Sequence, residues 1–371
     1  MSERIVIKEI CEVYDGPHAT PKKTVDGPVY LGIDAITDDG KINAKEFAHL
    51  SEEDYIKWTK RVTPQYGDIV FSYEATLGRY ALIPKDFYGC LGRRLAIIRN
   101  VSKDIDTLWL YYYFLSPEWK QFIQSKIIKG STVNRISVED FPTYTVPNIS
   151  IKVQRKIANI LSKIDEKIAL NNNINDNLEQ QIKTIFTFQF LQNANTEWKQ
   201  QSLAELSEMY QPKTISGKDL IADGNYFVYG ANGIIGKYNQ YNHSESEIAV
   251  ACRGASCGSI QMTLPFSWIT GNAMVVKPHS DFPYREYLYY YLLAKNPNYL
   301  CSGSAQPQLT RENLTLYSLK VPSTTELNAF ESYAEKVRKI IIKNQQENIE
   351  LSTLRDWLLP MLMNGQATIS D

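Results

Sequence analysis

Pro147-Asn-Ile-Ser-Ile-Lys-Val-Gln-Arg-Lys-Ile-Ala-Asn-Ile-Leu-Ser-Lys-Ile-Asp165 opens the stretch whose reading decides the fold. Continued to Leu191, it places Ile157, Leu161, Ile164, Ile168, Asn171, Asn175, Leu178, Ile182 and Ile185 on one seam. Gaps of four and three residues alternate along that seam, which is the a/d pattern of a helix built to pack along another helix. Lys, Glu, Gln, Asp and Asn fill the flanking positions, so the opposite face is solvated. Pro147 stands just ahead, and neither Gly nor Pro interrupts the run. At 1.5 Å per residue, a helix of about 40 residues extends on the order of 60 Å, long for a globular core. The stretch reads as a spacer.

The same seam returns near the end of the chain, at Tyr333, Val337, Ile340, Asn344, Glu347, Leu351, Leu354, Leu358 and Met361. Both copies are apolar at their ends and polar in the middle, at Asn171 and Asn175 in one and Asn344 and Glu347 in the other. An antiparallel pairing sets polar middle against polar middle and apolar ends against apolar ends. A polar layer in such a seam costs stability and fixes register. The two patterns match in length as well as period, which favours paired helices over two unrelated amphipathic ones. The expected pairing residues are Ile157, Leu161, Ile164, Ile168, Leu178 and Ile182 against Val337, Ile340, Leu351, Leu354 and Leu358.

A chain of 371 residues exceeds one small core, so two or more domains are expected. Hydrophobic residues at 43% and charged residues at 22% describe an ordinary soluble protein. The N-terminal residues lack the apolar core of a signal peptide and no run reaches membrane-spanning length, so a cytoplasmic protein is expected. Five scattered cysteines, an odd number, argue against a disulfide framework. Cys252 and Cys257 read as buried free thiols rather than a zinc site. Residues 1–150 carry 19 basic and 20 acidic side chains and residues 196–322 carry 10 of each, so neither segment is a generic polyanion binder.

Before the first spacer, β-like runs stand at Val29–Ile33, Asp68–Tyr73, Tyr80–Ile83 and Leu95–Arg99 between Gly, Pro and Asp turn signals. A helix is expected over Ile105–Ile128, then a polar loop from Lys129 to Arg135. After the linker Gln192–Thr196 the series starts again. Glu247-Ile-Ala-Val-Ala-Cys-Arg253 stands where Asp68-Ile-Val-Phe-Ser-Tyr stood, and Gly258 matches Gly78. Gly271-Asn-Ala-Met matches Gly92-Arg-Arg-Leu, and Leu288-Tyr-Tyr-Tyr matches Leu110-Tyr-Tyr-Tyr. Gly303-Ser-Ala-Gln-Pro-Gln matches Gly130-Ser-Thr-Val-Asn-Arg, and Val321-Pro322 matches Val146-Pro147. The chain is a tandem duplication of one unit, a globular module followed by a long helix. Its period is too long for a solenoid, whose repeats are about 20–50 residues. The frameworks of the copies agree while their loops differ.

Catalytic patterns are missing. His18, His49, His243 and His279 lie in unrelated contexts and read as surface or loop residues. There is no G-x-S-x-G elbow. Gly16-Pro-His-Ala-Thr-Pro-Lys-Lys-Thr24 lacks the second glycine of a phosphate loop. Gly230-Ala-Asn-Gly233 lacks the strand–turn–helix setting of a dinucleotide site. The N/D-P-P-Y/F tetrapeptide of amino-methyltransferases is absent.

This arrangement resembles the specificity (S) subunits of Type I restriction–modification systems. The resemblance covers essentially the whole chain. It is carried by Pro147–Asp165, the Gly-Ser loops at Gly130 and Gly303, Gly67-Asp-Ile-Val-Phe-Ser-Tyr with Gly78 after it, and Gly92-Arg-Arg-Leu-Ala. Thr325-Glu-Leu-Asn-Ala329 departs from the Pro147-to-Gln154 pattern, which changes the contacts expected at the start of the second helix. The implied fold is α+β: two tandem mixed α/β target-recognition domains joined by two long helices in an antiparallel, pseudo-two-fold coiled coil. The implied limits are 1–146 and 196–322 for the domains and 147–195 and 323–371 for the spacer helices. The resemblance implies a non-catalytic subunit that binds double-stranded DNA and recruits two modification subunits, together with restriction subunits. No cofactor is expected on this chain; S-adenosylmethionine, ATP and Mg belong to the partners.

Modules about 35–45 Å apart would read half-sites about 10–13 base pairs apart, centre to centre. Base readers are expected in loops where the copies differ, because Arg pairs bidentately with guanine and Asn or Gln with adenine. In module one these are Thr20, Lys22, Lys23, Tyr73, Glu74, Arg79, Arg93, Thr132, Asn134 and Arg135. In module two they are Lys213, Tyr229, Asn232, Arg253, Ser256, Asn272, Gln306, Gln308 and Arg311. For each, a solvated loop or structural turn is the competing reading. The Tyr111–Tyr113 and Tyr289–Tyr291 clusters read as framework packing. Two other functions stay open: a two-module protein adaptor with a coiled-coil ruler, and an enzyme with a cryptic site near Glu74, Arg79 and Arg253.

Overall fold

The computed structural model describes residues 3–130, 133–303 and 306–367. They fall into two compact units, Met1–Ile168 with Ile349–Asp371, and Ala169–Asn348. In the first unit β1 (Arg4–Val6), β2 (Cys11–Asp15), β3 (Thr24–Leu31) and β4 (Ala48–His49) precede α1 (Glu52–Trp58). Then come β5 (Ile69–Ser72), β6 (Tyr80–Leu82), β7 (Gly89–Leu91) and β8 (Leu95–Asn100). After these follow α2 (Thr107–Leu115), α3 (Pro117–Lys126), β9 (Thr145–Pro147) and the long α4 (Ile151–Phe186), whose residues from Ala169 onward belong to the second unit. The strands pair as β2-β8-β5-β6, β4-β3-β7 and β1-β9.

The second unit repeats that plan. Its elements are β10 (Lys199–Ser202), α5 (Leu203–Leu206), β11 (Ser207–Tyr210), β12 (Tyr226–Gly230) and β13 (Gly233–Tyr238). Next are β14 (Ile248–Ala251), β15 (Ile260–Met262), β16 (Trp268–Ile269), β17 (Ala273–Pro278) and α6 (Arg285–Ala294). The unit continues with α7 (Arg311–Thr315), β18 (Ser318–Val321) and the start of α8 (Thr324–Met363), whose residues from Ile349 onward belong to the first unit. Pairing runs β11-β17-β14-β15, β13-β12-β16 and β10-β18. Among the described residues each unit has one parallel pair, β3 with β7 and β12 with β16. The duplication read from the sequence is a duplication of strand order.

Each four-stranded sheet is buried on both faces. Ile69, Phe71, Ala96 and Ile98 face a core holding Trp109, Tyr113, Phe114 and Trp119. Val70, Leu95 and Ile97 face another holding Leu31 and Leu91. That is why Ile69-Val-Phe reads as a continuous apolar run instead of alternating. The helix expected over Ile105–Ile128 is two helices. Pro117 disfavours a helical residue before it, so Ser116 is extended, at φ −67° and ψ 153°, and its side chain caps α3 by accepting from Trp119 N. Tyr111, Tyr112 and Tyr113 are buried, as are Tyr289 and Tyr290, so the clusters pack the framework.

On α4 the expected seam faces inward. Ile157, Leu161, Ile164, Ile168, Asn171, Asn175 and Ile182 are buried and Leu178 is half-buried. On α8 half of the reading shifts by one residue. Val337 is buried and Leu351 and Leu358 are half-buried, but Ile340 is 48% and Leu354 43% exposed. Ile341 and Arg355 take their inward places. Two features hid the shift: Ile340-Ile-Ile342 is apolar at every candidate position, and an arginine inside a seam reads as solvated. The helices run antiparallel through an amide layer, with Asn171 Nδ2 donating to Glu347 Oε2 (2.7 Å) and Asn348 Oδ1 (2.9 Å). Asn344 Nδ2 donates to Asn175 Oδ1 (2.8 Å).

Cys257 and Cys301 form a disulfide, which corrects the reading of Cys257 as a free thiol. Cys11, Cys90 and Cys252 are free and buried. Burial pushes the Cys11 thiol up to about 12, so it is not a nucleophile at neutral pH. His243 is buried too, not a surface residue: Tyr210 Oη lies 2.9 Å from its Nε2 and Asn242 Oδ1 2.6 Å from its Nδ1. Among the described residues no helix is long and apolar enough to cross a membrane.

Candidate nucleic-acid interface

In the first unit three loops are laced together by backbone hydrogen bonds just beyond β5. Tyr73 N donates to Arg94 O (3.1 Å) from the β7–β8 turn, and Ile136 N donates to Tyr73 O (2.8 Å) from the loop after α3. That last loop is a hairpin closed by reciprocal Ile128–Arg135 bonds of 2.9 and 3.1 Å. The segment after β2 joins them where Gly16 N donates to Leu95 O (3.0 Å). A Cβ on Gly16 would lie 2.4 Å from that oxygen, so the approach needs glycine.

This lacing sorts the candidates. Arg93, Asn134 and Arg135 are exposed on the joined loops, and Thr20, Lys22 and Lys23 are exposed on the Gly16 segment. Arg94, at φ 73°, is held in the left-handed region, which costs roughly 1–2 kcal/mol for a side chain of this size. Its Nε reaches Glu74 Oε2 at 3.4 Å, folding that cation onto the half-buried Glu74. Two candidates are corrected. Tyr73 is only 5% exposed; burial and a hydrogen bond to Asp15 push its phenol up, so it stays neutral and structural. Arg79 is bidentate on Asp38 (2.6 and 3.2 Å) and donates to Ile36 O (3.1 Å), so its guanidinium is occupied. Thr132 lies outside the described residues. The sequence reading passed over Arg61 and His18, exposed basic groups that meet Asp15 Oδ2 at 3.7 and 2.9 Å. Only the fold brings them to this edge, since Arg61 follows a helix rather than a strand.

The second unit uses the same stitches with other side chains. Cys252 N donates to Asn272 O (3.0 Å), Leu309 N to Cys252 O (3.0 Å) and Gly254 N to Pro307 O (3.0 Å). The hairpin is closed by reciprocal Ser302–Gln308 bonds of 2.8 Å. The Cys257–Cys301 disulfide ties the turn after Arg253 to it. Arg253, Asn272, Gln306 and Gln308 are exposed together here, with Arg311 exposed at the start of α7 and Ser256 half-buried in the turn. Lys213 is exposed and its carbonyl accepts from Trp268 Nε1 (3.1 Å). A Cβ on Gly271 would sit 2.5 Å from Thr214 Oγ1, so glycine lets the Lys213 segment close on the Asn272 turn. Tyr229 is a correction: it is 6% exposed and its hydroxyl accepts from Leu264 N (3.1 Å), a framework role. Asn232 is exposed at the β12–β13 turn, apart from these stitched loops.

Both edges are built from loops stitched by backbone hydrogen bonds, with exposed polar side chains at their rims. Among the described residues no group of three or more His, Cys, Asp or Glu could hold a metal. The first edge is rich in cations, the second in amides. Cations suit phosphate oxygens and guanine, and amides suit adenine.

The comparisons with known proteins agree with this architecture. The family model for the Type I restriction modification DNA specificity domain matches residues 2–180 and again 195–352. The chain therefore belongs to that family, as a non-catalytic specificity subunit with two target-recognition domains. It is 26% identical over 277 residues to the Type I restriction enzyme EcoprrI specificity subunit of Escherichia coli, covering 69% of this chain and 67% of that one. With the MjaIX specificity subunit of Methanocaldococcus jannaschii it shares 21% identity over 361 residues, covering 87% and 82%. The crystal structure of a Type I restriction-modification S subunit from M. genitalium has the same fold, with a TM-score of 0.57 at 15% identity over 99% of this chain and 96% of that one.

Proposed function

We propose that this chain selects the DNA sequence for a Type I restriction–modification complex by reading a bipartite, asymmetric site, one half with each target-recognition domain. The observation that carries it is the pair of stitched edges, alike in backbone and unlike in exposed side chains. Residues 1–146 and 196–322 act as the readers, and 147–195 and 323–371 as the spacer. In this reading two modification subunits methylate adenine and restriction subunits cut where the chain directs them, in the cytoplasm. S-adenosylmethionine, ATP and Mg are bound by those partners and this chain holds no cofactor.

Charge balance supports borrowed affinity. Phosphate contacts supply most DNA-binding energy, and a chain of net charge −1 has little surplus for them. The isolated chain should bind DNA weakly at physiological salt, and an electrophoretic shift at nanomolar concentration would contradict this. The decisive experiment is methylome sequencing of a host without adenine methylation that expresses the chain with its cognate modification subunit. A split motif with a fixed gap of about 5–8 base pairs, lost when the chain is omitted, is the expected result. No new methylation despite a soluble complex would favour a protein adaptor.

A further inference from the structure

The apolar and amide positions of α4 and α8 do not say which helix should pair with which. Both helices are apolar at the ends and polar in the middle, and the amides of Asn171, Asn175, Asn344 and Asn348, which meet across the seam, can each donate and accept, so they do not choose a partner by charge. A second copy of α4 would meet the same apolar and amide positions, whereas a second copy of α8 would bring two Glu347 carboxylates into the layer where Asn171 donates to one. Two ionic contacts are different. In the first unit Arg355 of α8 donates to Asp165 Oδ1 of α4 at 2.8 Å, and Tyr112 Oη donates to Asp165 Oδ2 at 2.6 Å. In the second unit Arg338 of α8 donates to Glu179 of α4, and Tyr290 Oη donates to Glu179 Oε2 at 2.7 Å. Arg338 also binds the fully buried Glu286 through Nε and Nη2 at 3.2 and 3.1 Å.

Tyr112 and Tyr290 are matching residues of the duplication, so the same framework hydroxyl marks both contacts. The repeat also matches Leu178 with Leu354, and the residues that directly follow are Glu179 and Arg355. One repeat position is therefore acidic on α4 and basic on α8. Its opposite numbers are Asp165 on α4 and Arg338 on α8. Pairing α4 with α8 gives acid against base twice. Pairing α4 with another α4 in the same register gives Asp165 against Glu179 twice. Pairing α8 with another α8 gives Arg338 against Arg355 twice. Like charges facing each other in a partly buried seam are strongly disfavoured.

We infer that these two contacts are a pairing code that holds α4 against α8 and rejects a second copy of either helix, so that each molecule keeps two unlike modules. This goes beyond the DNA-reading proposal and does not depend on what the modules bind. The code assigns no role to the amide layer beyond register. It uses four side chains, Asp165, Glu179, Arg338 and Arg355, on helices whose apolar and amide positions are permissive.

The code can be erased while both α4–α8 contacts stay opposite in charge, with loss of the Tyr112 hydroxyl's acceptor on Asp165. Asp165→Arg combined with Arg355→Glu keeps α4–α8 opposite in charge at both places, yet makes α4–α4 and α8–α8 complementary as well. The full chain, carrying a protease site in the Asn193–Thr196 connection, is folded and then cut. Two preparations with tags of different mass are equilibrated together, and the pairs are counted by native mass spectrometry. The wild type should return only unlike halves. The double variant should raise like-with-like pairs by about 100-fold, tenfold for each of the two like-charge contacts removed. Like pairs in the wild type, or none in the double variant, would overturn the code. An independent check uses the uncut chain. Asp165→Arg and Arg355→Glu should each lower the urea midpoint while the double variant recovers most of the loss, and additive losses would count against it.

Discussion

The two units anchor their long helices by the same device built from different chemistry. In the first, Gln154 near the start of α4 accepts from Asp106 N (2.7 Å) at the start of α2 and donates to Asp104 O (3.0 Å) and Ile149 O (2.7 Å). In the second, the carboxylate of Glu331 on α8 accepts from Glu286 N (2.9 Å) and Tyr287 N (3.1 Å) at the start of α6. A neutral amide satisfies both donors and acceptors; a carboxylate satisfies donors only and brings a charge into the core. The ion clusters differ in the same sense. Arg338 and Glu286 are buried together, whereas Asp165 and Arg355 line an open recess of about 340 Å³. The long-helix contacts of the second unit thus rest on buried charge and those of the first do not. Duplication fixed where an anchor is needed and left its chemistry free.

The largest consequence is expected at Arg338. Arg338→Met leaves Glu286 buried without its cation and should cost about 3–5 kcal/mol in urea unfolding. Arg355→Met exposes Asp165 to water beside it and should cost only about 1 kcal/mol. Equal losses would break the contrast.

Next comes pH. Burial, against the pull of its two backbone donors and with the neighbouring Glu286 and Glu335 carboxylates, pushes Glu331 up to about 7 from its ordinary 4.5. The folded state then holds a proton between those values that the unfolded chain has released. Stability is fully present below about 4.5 and is lost as pH rises to about 7, by on the order of 3 kcal/mol. Glu331→Gln should flatten that slope, and an unchanged slope would remove Glu331 as its source. In the first unit, Gln154→Leu should cost about 1–3 kcal/mol by stranding Asp106 N and Asp104 O, with no pH dependence of its own. The smallest effect is expected at Arg79, whose partner Asp38 is largely exposed. Arg79→Ala should cost under about 1 kcal/mol and leave the methylated sequence unchanged.

The sequence made the architecture legible because heptad spacing and strand order are periodic signals. The α4 seam could be read residue by residue. The α8 seam could not, since Ile340, Ile341 and Ile342 are interchangeable by hydropathy and Arg355 turns inward only because Asp165 meets it. The reading edges were legible as loops but not as side chains. Tyr73, Tyr229 and Arg79 look like readers in a polar stretch and are withdrawn by burial or by a partner on a distant loop. Arg61 and His18 are added by the same long-range geometry. The Cys257–Cys301 pair follows from hairpin closure, which an odd cysteine count conceals.

Whether one chain carries two independent readers is tested most directly by one measurement. Arg93, Asn134 and Arg135 are changed together to Ala, and the methylome is sequenced beside the wild type in a host supplying the modification subunit. Each lost base contact should weaken discrimination by about 1–3 kcal/mol. The predicted result is a motif relaxed in one half, with the other half and the gap unchanged. Relaxation of both halves together, or of neither, would contradict it.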